Sequence, residues 1–302
     1  MRAVVRELRA IKPDVFIYGE PWAGNGTPIR VTQKGDQKDE GFSCFNDSYR
    51  NAIAGNVFDN TPGYIFDGRG RDEIQRGWCG SADWFTSAPH ESINYAECHD
   101  NRTLRDKIAD VCRTHMPAQS EEDRLAEHRL AAFLVMLAQG VPFMQMGQEF
   151  YRTKFGEHNS YNRGDSVNNI WWNLKAEYGP LYEYYRGLVA IRRAHQIFRL
   201  TTQTSVEKRV FFGVVKPPYV VCELDGRSLG DAWRRALILV NPTGAPWSYS
   251  LPEAARTWHV YVAGARASAT PLYELGDDHH VQAVPPRSAL LLAEHAEHAA
   301  TP

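Results

Sequence analysis

The chain has 302 residues, a formal net charge of -2 from 34 basic and 36 acidic side chains, and 43% hydrophobic residues. That is the balance of a soluble globular protein of one large or two ordinary domains. It offers no basic field for nucleic acid, and no apolar run approaches the roughly 20 residues that span a bilayer, so neither is expected as a partner.

Cys44, Cys79, Cys98, Cys112 and Cys222 are odd in number and scattered, with no CxxC spacing. They argue against a disulfide framework and for a reducing compartment, so a cytoplasmic setting is expected. The opening segment is charged and amphipathic, unlike a secretory signal. Its residues Val4, Val5, Leu8 and Ile11 share one helical face, and Pro13 stops the helix before a buried-looking strand, Val15–Tyr18. That strand ends at Glu20, because Pro21, Gly24 and Gly26 prevent its continuation. A second apolar run, Ser92–Ala96, leads into Glu97, Cys98, His99, Asp100 and Asn101.

Ser120 is placed to cap a helix, with Glu121, Glu122 and Asp123 at its positive end and Leu130, Phe133, Leu134 and Leu137 at helical spacing. Gly140 ends it and Val141–Met146 reads as the next strand. Another helix follows from Gly179–Pro180, with Leu181, Tyr184, Tyr185, Leu188 and Ile191 on one side. Alternation of this kind up to about Phe198 implies right-handed parallel units of a barrel or open sheet, four helix-strand repeats at most. From about Leu200 the period shortens to antiparallel strands, Arg209–Val215, Tyr219–Cys222, Ala236–Val240 and His259–Val262. The tail from Ala293 to Pro302 has no pattern and is expected to be flexible.

Carboxylates at the mouths of two parallel strands suggest glycoside hydrolysis, and the residues alone pair Glu20 with Asp100 as acid and nucleophile. Cys98 beside His99 does not make a cysteine nucleophile, since strand side chains alternate faces. His158, Asn159, Tyr161, Asn162 and Asp165 lie in a long polar loop suited to binding or to ordinary loop structure. Trp22 suits either a sugar ring or packing, while Trp171 and Trp172 read as core. Asp277, Asp278, His279 and His280 read as a charged turn, and neither metal nor cofactor is expected.

The segments VFIYGEPWAGNGTPI, GFSCFNDSYRNAIAG, SINYAECHDNRTLRDKI, VPFMQMGQEFYRTK and HNSYNRGDSVNN, in this order, resemble type I pullulanases of the alpha-amylase superfamily. The resemblance implies an α/β fold: the C-terminal half of a (β/α)8 TIM barrel over residues 1–199, then an antiparallel β-sandwich domain over 200–302. It implies an α-glucan substrate and retaining hydrolysis of α-1,6-glucosidic links. Glu20 would be the general acid/base, a role helped by desolvation at a strand end beside Trp22. From the His99–Asp100–Asn101 segment, His99 would bond the sugar and Asp100 stabilise the transition state. Trp22, Asn101, Tyr161, Asn162 and Asp165 would contribute to substrate binding.

The family's nucleophile is a different aspartate on the fourth strand, and the acidic residues preceding Glu20 here, Glu7 and Asp14, do not fit it. An incomplete enzyme is therefore expected, completed by the missing half or hidden by self-association. Arg105, Met146 and Gln148 depart from the family pattern and bear on linkage and chain-length preference. Two alternatives stand beside this reading: another superfamily glucan hydrolase or transferase, and a non-catalytic glucan-binding chain.

Overall fold

A computed structural model of the protein describes residues 1–22, 30–252, 257–276 and 281–296. The Asp277–His280 turn therefore lies outside the described residues. Helix α1 (Arg2–Ile11) leads to strand β1 (Tyr18–Gly19); β2 (Ser43–Phe45) precedes helices α2 (Asp47–Ala54), α3 (Tyr64–Asp67) and α4 (Arg71–Trp78). Then come β3 (Ser92–Asn94), α5 (Leu104–His115), α6 (Glu121–Leu137) and β4 (Val141–Pro142). The four strands pair in parallel in the order β1-β2-β3-β4, so their C-terminal ends open on one side.

Helix α6 starts where local chemistry demands: Ser120 and Asp123 form a reciprocal capping box, and three acidic residues occupy the first turn. Leu130, Phe133, Leu134 and Leu137 are all buried, as their spacing requires. After α7 (Asp165–Asn168) and α8 (Asn173–Glu177), helix α9 (Gly179–Ala194) buries Leu181, Tyr184, Tyr185, Leu188 and Ile191.

The first strand corrects the sequence reading. Val15–Tyr18 is not a buried run: Phe16 and Tyr18 are exposed, and pairing begins only at Tyr18. Of the apolar face of α1, Val5 alone is buried; Val4, Leu8 and Ile11 face solvent, Ile11 at 85% exposure. The cause is position, because β1 is the edge of its sheet and no described strand lies beyond it. Strand β4, the opposite edge, is likewise shorter than Val141–Met146.

Helix α10 (Gln203–Arg209) precedes an antiparallel set: β5 (Val210–Phe212), β6 (Val220–Asp225), β7 (Trp233–Asn241), β8 (Trp247–Ser250), β9 (Trp258–Ala263), β10 (Arg266–Ala267), β11 (Tyr273–Leu275), β12 (Val281–Val284) and β13 (Ser288–His295). Seven of these form one sheet around β7, β13 and β9, while β8 pairs with β12. Alternation divides the large sheet's two faces. Leu237, Leu239, Val221, Leu290 and Leu292 pack with Val284, Leu251 and Leu275 in one core. Ala236, Ile238, Val240, Cys222 and Leu291 belong instead to the large core that holds α6 and α9.

Gly187 of α9 marks how closely the helix meets this sheet, since a β-carbon there would lie 2.0 Å from the Ala267 carbonyl oxygen. The start of the tail is also corrected, while residues 297–302 lie outside the described residues. Ala293, Glu294 and His295 complete β13, and the buried Glu294 is held by Arg234 at 3.1 Å and Arg235 at 3.2 Å from β7. Trp172 is exposed rather than core, whereas the half-buried Trp171 packs against the large core.

Candidate active site

Glu20 directly follows β1, and His99 and Asp100 lie in the loop beyond β3, two strands away in the same parallel sheet. Their positions at the strand ends bring them together: a Glu20 carboxylate oxygen, a His99 ring nitrogen and an Asp100 carboxylate oxygen all lie within 4.8 Å of one another. His99 Nε2 is 3.5 Å from Asp100 Oδ1. All three side chains are exposed, so the described residues do not supply the desolvation expected around Glu20 beside Trp22. Two carboxylates and an imidazole at this spacing suit sugar hydroxyls, and the same donors also suit a divalent cation.

Aromatic side chains on the parallel strands or just after them pack against one another. Phe45 meets Tyr95 and Phe143 edge-on, each at 5.1 Å between ring centres, and Tyr18 at 5.7 Å. Arg50 of α2 donates to the Tyr95 hydroxyl at 2.9 Å with its guanidinium 5.3 Å from the ring centre. A buried cation is thus fixed to the strand that leads to His99.

The loop carrying His99 and Asp100 is braced at both ends. Glu97, fully buried, accepts from the Leu104 backbone N–H at the start of α5, which Thr103 caps. Burial pushes the Glu97 carboxyl up to about 8, against the pull of that N–H. Asn101 adopts a left-handed backbone, φ 60°. Lys154 reaches in from the segment after β4 and donates from Nζ to the His99 carbonyl at 3.0 Å. Burial also draws the Lys154 ammonium below its usual range.

Not every expected residue joins the group. Trp22 is exposed, so nothing places it in the core. Tyr161, Asn162 and Asp165 stand in solvent, and among the described residues no hydrogen bond or ion pair ties them to Glu20, His99 or Asp100. Arg105 is engaged elsewhere, donating to the Tyr151 carbonyl at 3.0 Å with its guanidinium over the Tyr151 and Tyr178 rings. Gln148 is buried and donates to the Tyr185 hydroxyl at 2.9 Å, while Met146 is exposed. Sequence reasoning passed over Arg50, Glu97 and Lys154. Polar neighbours surround all three in the sequence, so no local pattern sets them apart.

A parallel sheet whose strand ends gather an acidic residue and a His-Asp pair, followed by an antiparallel sheet, agrees with the resemblance to the alpha-amylase superfamily. No family model matches the chain. The pullulanase of Bacillus subtilis (strain 168) is 32% identical over 249 residues, which is 78% of this chain and 34% of that protein. The solved pullulanase from Bacillus acidopullulyticus superposes with a TM-score of 0.90 at 36% identity, covering 97% of this chain and 36% of the other. The Paenibacillus barengoltzii pullulanase complexed with maltohexaose and alpha-cyclodextrin matches with a TM-score of 0.86 at 32% identity, over 98% of this chain and 46% of that one. The chain belongs to the type I pullulanase family. It spans about a third of the length of the Bacillus subtilis relative.

Proposed function

We propose that the chain is the C-terminal portion of a pullulanase-type debranching enzyme that hydrolyses α-1,6-glucosidic links in pullulan, amylopectin or glycogen-derived dextrins with retention. On this reading residues 1–199 are the second half of a (β/α)8 barrel and residues 200–302 a β-sandwich domain. The observation that carries it is the convergence of Glu20, His99 and Asp100 at the C-terminal ends of parallel strands.

In the reaction, Glu20 protonates the departing glycosidic oxygen and later takes a proton from water. Asp100 steadies the positive charge that develops on the sugar, and His99 holds a hydroxyl. The covalent glycosyl-enzyme needs a nucleophilic carboxylate about 5 Å from the acid. Asp100 is not assigned that role, because the resemblance gives it the stabilisation of the transition state and gives the nucleophile to an aspartate on the fourth strand. The nucleophile is therefore assigned to polypeptide outside these 302 residues, and Trp22, Asn101, Tyr161, Asn162 and Asp165 to the walls of the glucan cleft.

Reducing-sugar release from pullulan tests this. The 302-residue chain alone is expected to release none above background, and adding a polypeptide that supplies the other strand-helix units is expected to give turnover that Glu20→Gln or Asp100→Asn removes. Turnover by the isolated chain that disappears with Glu20→Gln would refute the external nucleophile. Undiminished turnover in both variants would refute the site.

A further inference from the structure

We propose that Lys154 is the positioning residue of this site: its ammonium, bound to the His99 carbonyl, fixes the backbone from which His99 and Asp100 project toward Glu20. The proposal deepens the reading of these three residues as the glucan site and rests on it for its binding consequences. It begins from a contrast in burial. The His99 and Asp100 side chains are 72% and 58% exposed, and the contact between them is long, 3.5 Å. Exposed side chains at such a separation do not hold themselves in place, because their mutual attraction is screened and each loses rotamer freedom in making it.

What holds them is the main chain. Lys154 is 1% exposed, and its Nζ meets the His99 carbonyl oxygen at 3.0 Å. Among the described residues, the other side-chain hydrogen bond to this stretch of backbone is a weak one, the Cys98 thiol to the Asp100 carbonyl at 3.9 Å. Lys154 is itself anchored, since its backbone N–H donates to Asp106 Oδ2 at 2.8 Å and the neighbouring Thr153 hydroxyl donates to Asp106 Oδ1 at 2.5 Å. Asp106 belongs to α5, and its N–H is taken by the cap residue Thr103 at 3.1 Å.

Lys154 thus links the segment after β4, the start of α5 and the middle of the active-site loop. Glu97 closes the loop's base through Leu104, and one of its oxygens is buried without a hydrogen-bond partner. The Asp106 carboxylate near the ammonium offsets part of the cost of burying it. A buried charge held by three elements at the back of an exposed reactive pair is an arrangement that fixes geometry while leaving the pair open to substrate.

The test compares the 302-residue chain with Lys154→Met, which keeps length and removes the donor, and Lys154→Arg, which restores one. Amide hydrogen exchange at residues 99–101 is expected to quicken at least tenfold in Lys154→Met and to recover to within about threefold in Lys154→Arg. Ser120→Ala serves as a control for general loss of stability, and is expected to leave exchange at 99–101 unchanged. Maltotriose affinity, measured by calorimetry, is expected to fall about tenfold in Lys154→Met but not to fall further when the change is made in His99→Ala.

Exchange at 99–101 within twofold of the parent, or losses of affinity that add in the double variant, would overturn the proposal. A parent that binds no maltotriose would remove the glucan reading, while the exchange data would still decide the role of Lys154. Should Lys154→Met not fold, the parent decides by magnetic resonance. A protected Lys154 ammonium with a cross-peak to the Asp100 amide supports the link, and a rapidly exchanging one refutes it.

Discussion

The end of α6 provides the sharpest test of how the parallel sheet is held. A helix leaves its last carbonyls without intrahelical donors, and here they are buried. Arg192 of α9 supplies the donors: Nη1 donates to the Met136 carbonyl at 2.9 Å and the Ala138 carbonyl at 2.7 Å, and Nη2 to the Gly140 carbonyl at 2.5 Å. Gly140 immediately precedes β4, so one guanidinium sets where the last parallel strand begins. Burial draws the Arg192 guanidinium down to about 10, still charged at neutral pH.

Arg192→Met fills similar space and leaves three carbonyls without that donor. Hydrogen bonds to a charged group contribute about 1.5–3 kcal/mol each, yet the three share one cation whose desolvation cost disappears with it. The expected net loss is about 3–5 kcal/mol. At about 2.1 cal/mol/K per residue, a chain of 302 residues then melts roughly 5–8 °C lower. Arg192→Lys, a point charge that cannot span all three acceptors, should fall between the two. Thermal unfolding followed by circular dichroism measures this. A shift below about 2 °C for Arg192→Met would show that the carbonyls find other partners and that the cation does not set the strand.

Three further outcomes are expected. Gly187→Ala should cost at least about 2 kcal/mol in urea unfolding, because its β-carbon would meet the Ala267 carbonyl; an unchanged midpoint would mean the sheet moves away freely. Stability should decline between pH 6.5 and 8. Burial raises Glu127 to about 7 and Glu97 to about 8, so the native state holds protons that the unfolded state has already released. Their stabilising contribution, complete below the unfolded carboxyl range, is lost as pH rises through these values. The buried His128, held at about 3, works in the opposite direction only below its unfolded value near 6.5. Glu97→Gln should flatten the slope, and an equal slope in that variant would exclude Glu97 as its source. Finally, the exposed Val4, Leu8 and Ile11 should make the isolated chain bind an apolar dye or self-associate, less so in Leu8→Lys/Ile11→Lys. Sedimentation as a compact monomer without dye binding would refute this.

Much of this protein was legible as one-dimensional pattern. The capping box at Ser120 and Asp123, the helical spacing of Leu130 to Leu137 and of Leu181 to Ile191, and the change to short strands after Leu200 are local, so neighbouring residues suffice to specify them. Glu20 and the His99-Asp100 pair were legible for a similar reason, as ionisable residues where apolar runs stop. The sequence could not reveal that Val4, Leu8 and Ile11 would remain uncovered, because a periodic apolar face states a capacity to pack and not the presence of a neighbour. Nor could it reveal Lys154 beneath His99 or Arg192 at the end of α6. The parallel strands have only two or three residues each, too few to carry a period. Their register and the side chains buried around them are decided by contacts between distant segments, since a buried charge is tolerable only where the folded chain brings its partners to it.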